Sequence, residues 1–178
     1  MPRDWEAYYR VMAGPDHPAF VVRAYAGLVP PGYVLDLAGG AGRNAFFLAA
    51  RGHNVLVLEK SREALLRLAA RGARGVRGVW FDLESDEPLP PGPFSAVVMS
   101  YFVERRLLSR AAEVLAPGGL FLVEGFGRPE AVRRGRPNSP HYWEPGELLR
   151  PPVGLEVLAY GEGVRELAYR VYAVWRRL

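Results

Sequence analysis

The sequence predicts an α/β fold built on a doubly wound, mainly parallel sheet that ends in an antiparallel hairpin. Three observations carry that prediction. From Gly32 onward, short apolar runs alternate with longer amphipathic stretches, the pattern of parallel strands and their crossover helices. The first of those runs opens directly into a glycine-rich turn and then a helix, DLAGGAGRN, Asp36 to Asn44. Two strand-like runs close the chain with no helix between them.

Each element has its own signal. Trp5 to Met12 and Ala19 to Leu28 read as two short helices around the breaker AGPDHP, making residues 1–30 a helical cap over one mouth of the sheet. Tyr33 to Leu37 (YVLDL) reads as a first strand, and Gly42 to Arg51 as a helix with Phe46, Phe47 and Ala50 at helical spacing. Asn54 to Leu58 is a second strand. Ser61 is an N-cap for the next helix, which aligns Leu65, Leu68 and Ala69 on one face and ends at Gly72. Val76 to Phe81, Phe94 to Met99 and Gly119 to Glu124 are the third, fourth and fifth strands.

PLPPGP, between the third and fourth strands, excludes a crossover helix because successive prolines remove donors and clash with the preceding turn. A helix from about Glu104 to Leu115 precedes the fifth strand, with Pro117 and Gly118 as its terminators. Residues 128–146, with Pro129, Gly135, Pro137 and Pro140, form an irregular, partly helical insertion at the carboxyl edge of the fifth strand. Ligands of open α/β sheets bind along that edge. Leu155 to Tyr160 and Ala168 to Arg176 then pair as a hairpin through a glycine-containing connection.

Composition narrows the function. With 178 residues, 49% hydrophobic and 24% charged, the chain suits a single domain, 1–178, of ordinary globular character. No apolar run approaches the ~20 residues that span a bilayer, and MPRDWEAYY lacks the apolar core of a secretory signal, so a cytoplasmic location and no membrane partner are expected. The absence of cysteine removes disulfides, thiolate nucleophiles and cysteine zinc sites. A net charge of +4 spread along the chain is weaker than a nucleic-acid footprint; Arg128, Arg133, Arg134 and Arg136 form one basic stretch, read as solvated surface.

No metal site is expected from the three histidines. His17 and His53 read as solvated turn residues, while His141, in SPHYWEP, is the histidine to test as a general base. No H-E-x-x-H or G-x-S-x-G is present. Aromatics gather at Trp5, Tyr8 and Tyr9 and at Tyr142 and Trp143; most such residues pack a cap onto a core, and Tyr8 and Tyr9 are the strongest candidates for a wall around a cationic centre.

The glycine loop holds the sharpest information. Small residues let a ligand approach the backbone, and the amides of the next helix can receive an anionic group. Gly40, Gly42 and Ala45 satisfy the G-x-G-x-x-A form of the dinucleotide fingerprint, and Glu59, 19 residues after Gly40, can bind a ribose diol. An adenosyl ligand without a pyrophosphate needs the same acceptor. Asp36 separates the two, because a carboxylate just before the loop repels a diphosphate and suits an ammonium group.

VLDLAGGAGRNAFFLAARGHNVLVLEKS, FDLE and LAPGGLFLVE together resemble the motifs of class I S-adenosylmethionine-dependent methyltransferases, a Rossmann-like α/β family, over Tyr33 to Glu124. GRN with FLAARGH, EPGELL and YGEGV are similar to the small tellurite-resistance-type methyltransferases within it. The resemblance implies S-adenosylmethionine as cofactor and a small-molecule acceptor. It implies that Asp36 organises the loop and the methionine moiety, and that Ala38, Gly39, Gly40 and Gly42, with Asn44 behind them, shape the cradle. It further implies that Glu59 takes the ribose, Lys60 lies beside the adenine, Asp82 accepts from the exocyclic amine, and the Leu83 backbone reads the ring edge. Ser100 and Tyr101 would sit near the sulfonium. Ala38 stands where the family usually has its first glycine, and its Cβ fits if φ there is negative. A nicotinamide-dependent oxidoreductase and a non-catalytic adenosyl-binding module are the alternatives.

Overall fold

The computed structural model describes residues 4–12 and 14–178; residues 1–3 of the expected cap and Ala13 of the breaker lie outside the described residues. Five parallel strands, β1 (Tyr33–Leu37), β2 (Asn54–Glu59), β3 (Val76–Trp80), β4 (Phe94–Ser100) and β5 (Leu115–Phe126), are joined by an antiparallel pair, β6 (Leu155–Arg165) and β7 (Ala168–Arg177). The order across the sheet is β3-β2-β1-β4-β5-β7-β6. The sheet is therefore doubly wound, with chain reversal between β1 and β4, where open α/β sheets leave a crevice at their carboxyl ends.

Strand alternation assigns the two faces. Val34, Val55, Val57, Ala96, Val98, Leu120 and Leu122 pack with residues of α2 (Phe20–Tyr25) and α3 (Arg43–Ala49). Leu35, Leu37, Val97, Met99, Phe121 and Val123 pack on the other side, with Leu107 and Ala111 of α5 (Arg106–Glu113). The helix α4 (Arg62–Arg71) starts at Ser61, whose hydroxyl accepts from the Ala64 amide as its N-cap. It closes on β3 at Gly78, where a Cβ would lie 2.8 Å from Leu65 Cδ2. No helix links β3 to β4, in line with PLPPGP.

Most expected bounds shift by a residue or two, and three differences bear on β5 and the hairpin. The helix α5 ends at Glu113 and β5 begins at Leu115, so Pro117 and Gly118 lie within the strand's span. Leu115 already pairs with Phe94, and the register then jumps to Ala96↔Leu120, so the APGG run is an irregularity inside the ladder. The third difference is the hairpin. Its glycines, Gly161 and Gly163, belong to β6, and Gly161 is there because a side chain would strike the Tyr172 ring. The turn itself is Glu166–Leu167, both left-handed at φ 48° and 63°.

The N-terminal α1 (Trp5–Val11) packs on α4, and the insertion holds α6 (Arg128–Arg133) and a 3-10 turn, Glu147–Leu149. Three of its four arginines are paired locally. Arg133 and Arg134 pair with buried Glu130, holding that carboxyl down at about 2, and Arg128 pairs with Glu144.

A two-residue hairpin turn with positive φ at both positions favours glycine, and Leu167 is 91% exposed. Leu167→Gly is expected to raise stability by about 0.5–1 kcal/mol, read as a shift in the urea midpoint at unchanged slope.

Candidate functional site

The alternation that puts Val34 on the α2/α3 face puts Asp36 there too, beneath the first turn of α3. Its carboxyl group is 0% exposed, and neither oxygen has a hydrogen-bond partner. Burial drives its pKa from 3.8 up to about 7; the nearby Arg43 charge and the Asn44 side-chain amide oppose the rise and the Glu59 charge adds to it. A buried, unpartnered carboxylate is a costly feature, and a cation placed against it would offset that cost.

The loop over Asp36 is tight. A Cβ on Gly39 would lie 2.7 Å from both Asp36 Oδ2 and Val57 Cγ1. Gly42, at φ 87°, caps α3 and leaves its amide bonded to the Gly39 carbonyl. Ala38 adopts φ 53°, so the negative φ under which its Cβ would fit freely is not met: the chain takes the left-handed conformation despite the Cβ, at a cost of about 1 kcal/mol.

Glu59, at the end of β2, is buried and grips the loop. Its Oε2 accepts from the Gly40 amide at 2.8 Å and its Oε1 from the Ser61 amide at 2.7 Å. Burial raises its pKa and these bonds pull it back. Lys60, exposed beside it, bridges Asp82 at 2.9 Å and Glu84 at 3.0 Å, and the hydrogen bond from Lys60 holds Asp82 below its usual value. Leu83 is buried after β3.

A second network lies at the ends of β4 and β5. Asn44 Nδ2 donates to Ser100 Oγ at 2.9 Å, and Asn44 Oδ1 accepts from the Ala19 amide. Tyr101, left-handed at φ 58°, donates its hydroxyl to Glu124 Oε1 at 2.6 Å, while Glu124 Oε2 accepts from the Val21 amide at 2.8 Å. Burial and the Glu124 charge push the Tyr101 phenol up. Asn44 and Glu124 thus tie the start of α2 to the sheet. Sequence reasoning missed Glu124 as a site residue, although an acid ending an apolar strand is the same signal that singled out Glu59.

From above, α1 lays Tyr9 on the loop, where a Cβ on Gly40 would collide with the Tyr9 hydroxyl. Burial pushes that phenol up to about 12. Tyr8 packs edge-on against Tyr9, with ring centroids 5.1 Å apart. His141 is exposed on the insertion, away from these contacts; among the described residues its only hydrogen bond is from its backbone amide to Ser139. Tyr142 and Trp143 are buried, Trp143 against Gly125, so they pack the insertion onto the core. His53 is also buried, correcting its reading as a solvated turn residue: the backbone bond from its amide to Leu48 folds it under α3. Among the described residues no cluster of three His, Asp or Glu side chains fits a metal, and no helix is long and apolar enough to cross a membrane.

The strand order, the antiparallel seventh strand and the acid–glycine–acid arrangement at the carboxyl edge define the class I, S-adenosylmethionine-dependent methyltransferase fold. Residues 34–119 match the family model described as "Methyltransferase domain". A curated relative, demethylmenaquinone methyltransferase of Clavibacter sepedonicus, is 34% identical over 112 residues, covering 57% of this chain and 45% of that protein's length. TehB from Haemophilus influenzae superposes with a TM-score of 0.77 at 18% identity, over 98% of this chain and 67% of that one. An S-adenosylmethionine-dependent methyltransferase from Mesorhizobium loti gives 0.70 at 19% identity, over 88% and 95%.

Asp36 also sets a pH dependence. Its folded pKa lies above its unfolded value of 3.8, so its ionisation destabilises the folded chain progressively as pH rises from about 4 to about 7. Asp36→Asn is therefore expected to be more stable than wild type at pH 8, by about 1–3 kcal/mol, with the gain vanishing near pH 4 in chemical denaturation.

Proposed function

We propose that this protein transfers a methyl group from S-adenosylmethionine to a small-molecule acceptor by in-line displacement. The observation that carries the reading is Asp36: a fully buried carboxylate whose cost the chain offsets only in part, beneath a loop whose Gly39 has no room for a side chain. That donor set fits an ammonium-bearing ligand and disfavours the diphosphate of a nicotinamide dinucleotide.

In this reading Asp36 receives the amino acid end, and Ala38, Gly39, Gly40 and Gly42 let it approach. Glu59 uses the lone pairs left by its two amide bonds for the ribose hydroxyls. Lys60, Asp82 and the Leu83 backbone frame the adenine, while Asn44, Ser100 and Tyr101 border the sulfonium. When bound, S-adenosylmethionine supplies a methyl group on a good leaving group, so the residues of this chain have to align the acceptor and exclude water. Tyr9, with its phenol at about 12, stays protonated near neutrality and acts as a donor or wall, not as a base. His141 and Tyr8 are the remaining candidates for contact with the acceptor. The 1–30 cap and the 128–146 insertion border a mouth suited to a compact acceptor within a single cytoplasmic domain. The name of the curated relative adds demethylmenaquinone to the acceptors worth screening.

Calorimetry with S-adenosylmethionine, its demethylated product and reduced nicotinamide dinucleotides tests the ligand class. Micromolar adenosyl binding, about 8 kcal/mol, is expected for wild type and none for Asp36→Ala. Because the charged form of Asp36 holds the ammonium, affinity is expected to rise between pH 5.5 and 7.5. Tight nicotinamide binding without an adenosyl signal would replace this reading with an oxidoreductase, and adenosyl binding without turnover on any acceptor would reduce it to a binding module.

A further inference from the structure

The contacts around α1 form a closed ring. Glu6 on α1 accepts from Ser61 Oγ at 2.7 Å and from the Glu63 amide at 3.3 Å. Ser61 donates its amide to Glu59 at 2.7 Å, and Glu59 accepts the Gly40 amide at 2.8 Å. Gly40 in turn lies against the Tyr9 hydroxyl, and Tyr9 returns the path to α1. Arg67 of α4 locks the same turn by donating from Nε to the Tyr9 carbonyl at 2.7 Å.

The helix that carries this ring has no core anchor. Among its seven residues Glu6, Tyr8 and Tyr9 are half-buried and none is fully buried, and its N-cap, Asp4, is satisfied within α1 itself. A short terminal element with no fully buried side chain opens at a fraction of the global unfolding free energy. Tyr9 nevertheless covers the loop that any ligand of Asp36 has to enter.

We infer that Glu6 and Arg67 are positioning residues that latch α1 as a lid over the glycine loop, with Glu59 linking the latch to ligand occupancy. The inference rests on the adenosyl-binding reading for its ligand but not for the latch itself. Opening releases Tyr9 from Gly40 and admits the ligand. A ribose hydroxyl on Glu59 then sits one hydrogen bond from Ser61 and two from Glu6, so occupancy and closure reinforce each other by linkage.

The test uses the full chain with Glu6→Ala and Arg67→Ala, separately and together. Amide hydrogen exchange at residues 39–42 of the ligand-free protein is expected to quicken about tenfold in each variant, as loss of one or two hydrogen bonds implies. Release of radiolabelled S-adenosylhomocysteine, measured by rapid filtration, is expected to quicken by a similar factor. The melting temperature should stay within a few degrees of wild type, since α1 contributes nothing to the core. Unchanged exchange, or unchanged release, in the double variant overturns the latch. A wild type that binds no adenosyl ligand sinks the functional reading instead, and the exchange arm alone then decides the latch.

Discussion

Holding an ionisable carboxyl group wholly out of water costs several kcal/mol unless a cation or donors compensate it, and for Asp36 the nearby Arg43 and Asn44 offset only part of that cost. The surroundings of Asp36 follow from that constraint. Gly39 has to lack a side chain because the Asp36 oxygen occupies that space, and the chain must turn left-handed at Ala38, Gly40 and Gly42 to pass over it. Glu59, the next acid along the edge, has both oxygens taken by backbone amides, so the loop is held from the side by one carboxylate and left open below by the other. A site that spends stability on an unsatisfied charge is one whose complement comes from outside the chain.

The contrast between the three buried acids of the carboxyl edge is informative. Glu59 and Glu124 each accept two hydrogen bonds through different oxygens and serve as struts. Asp36 is shorter by one methylene and sits one strand position inside its strand's end, where no backbone amide reaches it. The same residue chemistry is structural in two places and receptive in one, and reach decides which.

Much of this was legible in the sequence because it is written in local periodicity. The five parallel strands, the N-cap at Ser61 and the proline-blocked crossover all depend on residues within a few positions of each other. The Asp36–glycine–Glu59 spacing spans one strand–helix–strand unit, and its fixed offset made it legible as well. What escaped depends on distant partners. The start of β5 at Leu115 follows from pairing with Phe94, and the length of the hairpin from the packing of Gly161 on Tyr172. The left-handed Ala38 is dictated by the loop as a whole and not by its own preference. The Glu6–Ser61 and Glu124–Val21 bonds join residues 55 and 103 positions apart, and no spacing rule connects them.

The strand order leaves β6 at one border of the sheet, with eleven residues and one unpaired row of backbone donors and acceptors. Long bare borders invite a strand from another molecule. Here the ladder breaks register between Val157 and Ala159, and Glu156, Glu162 and Arg165 stud the same strand. Such a kinked rim, with charged side chains interrupting its apolar ones, gives an incoming strand no continuous ladder to lie on, so the sheet terminates at β6 without a covering helix.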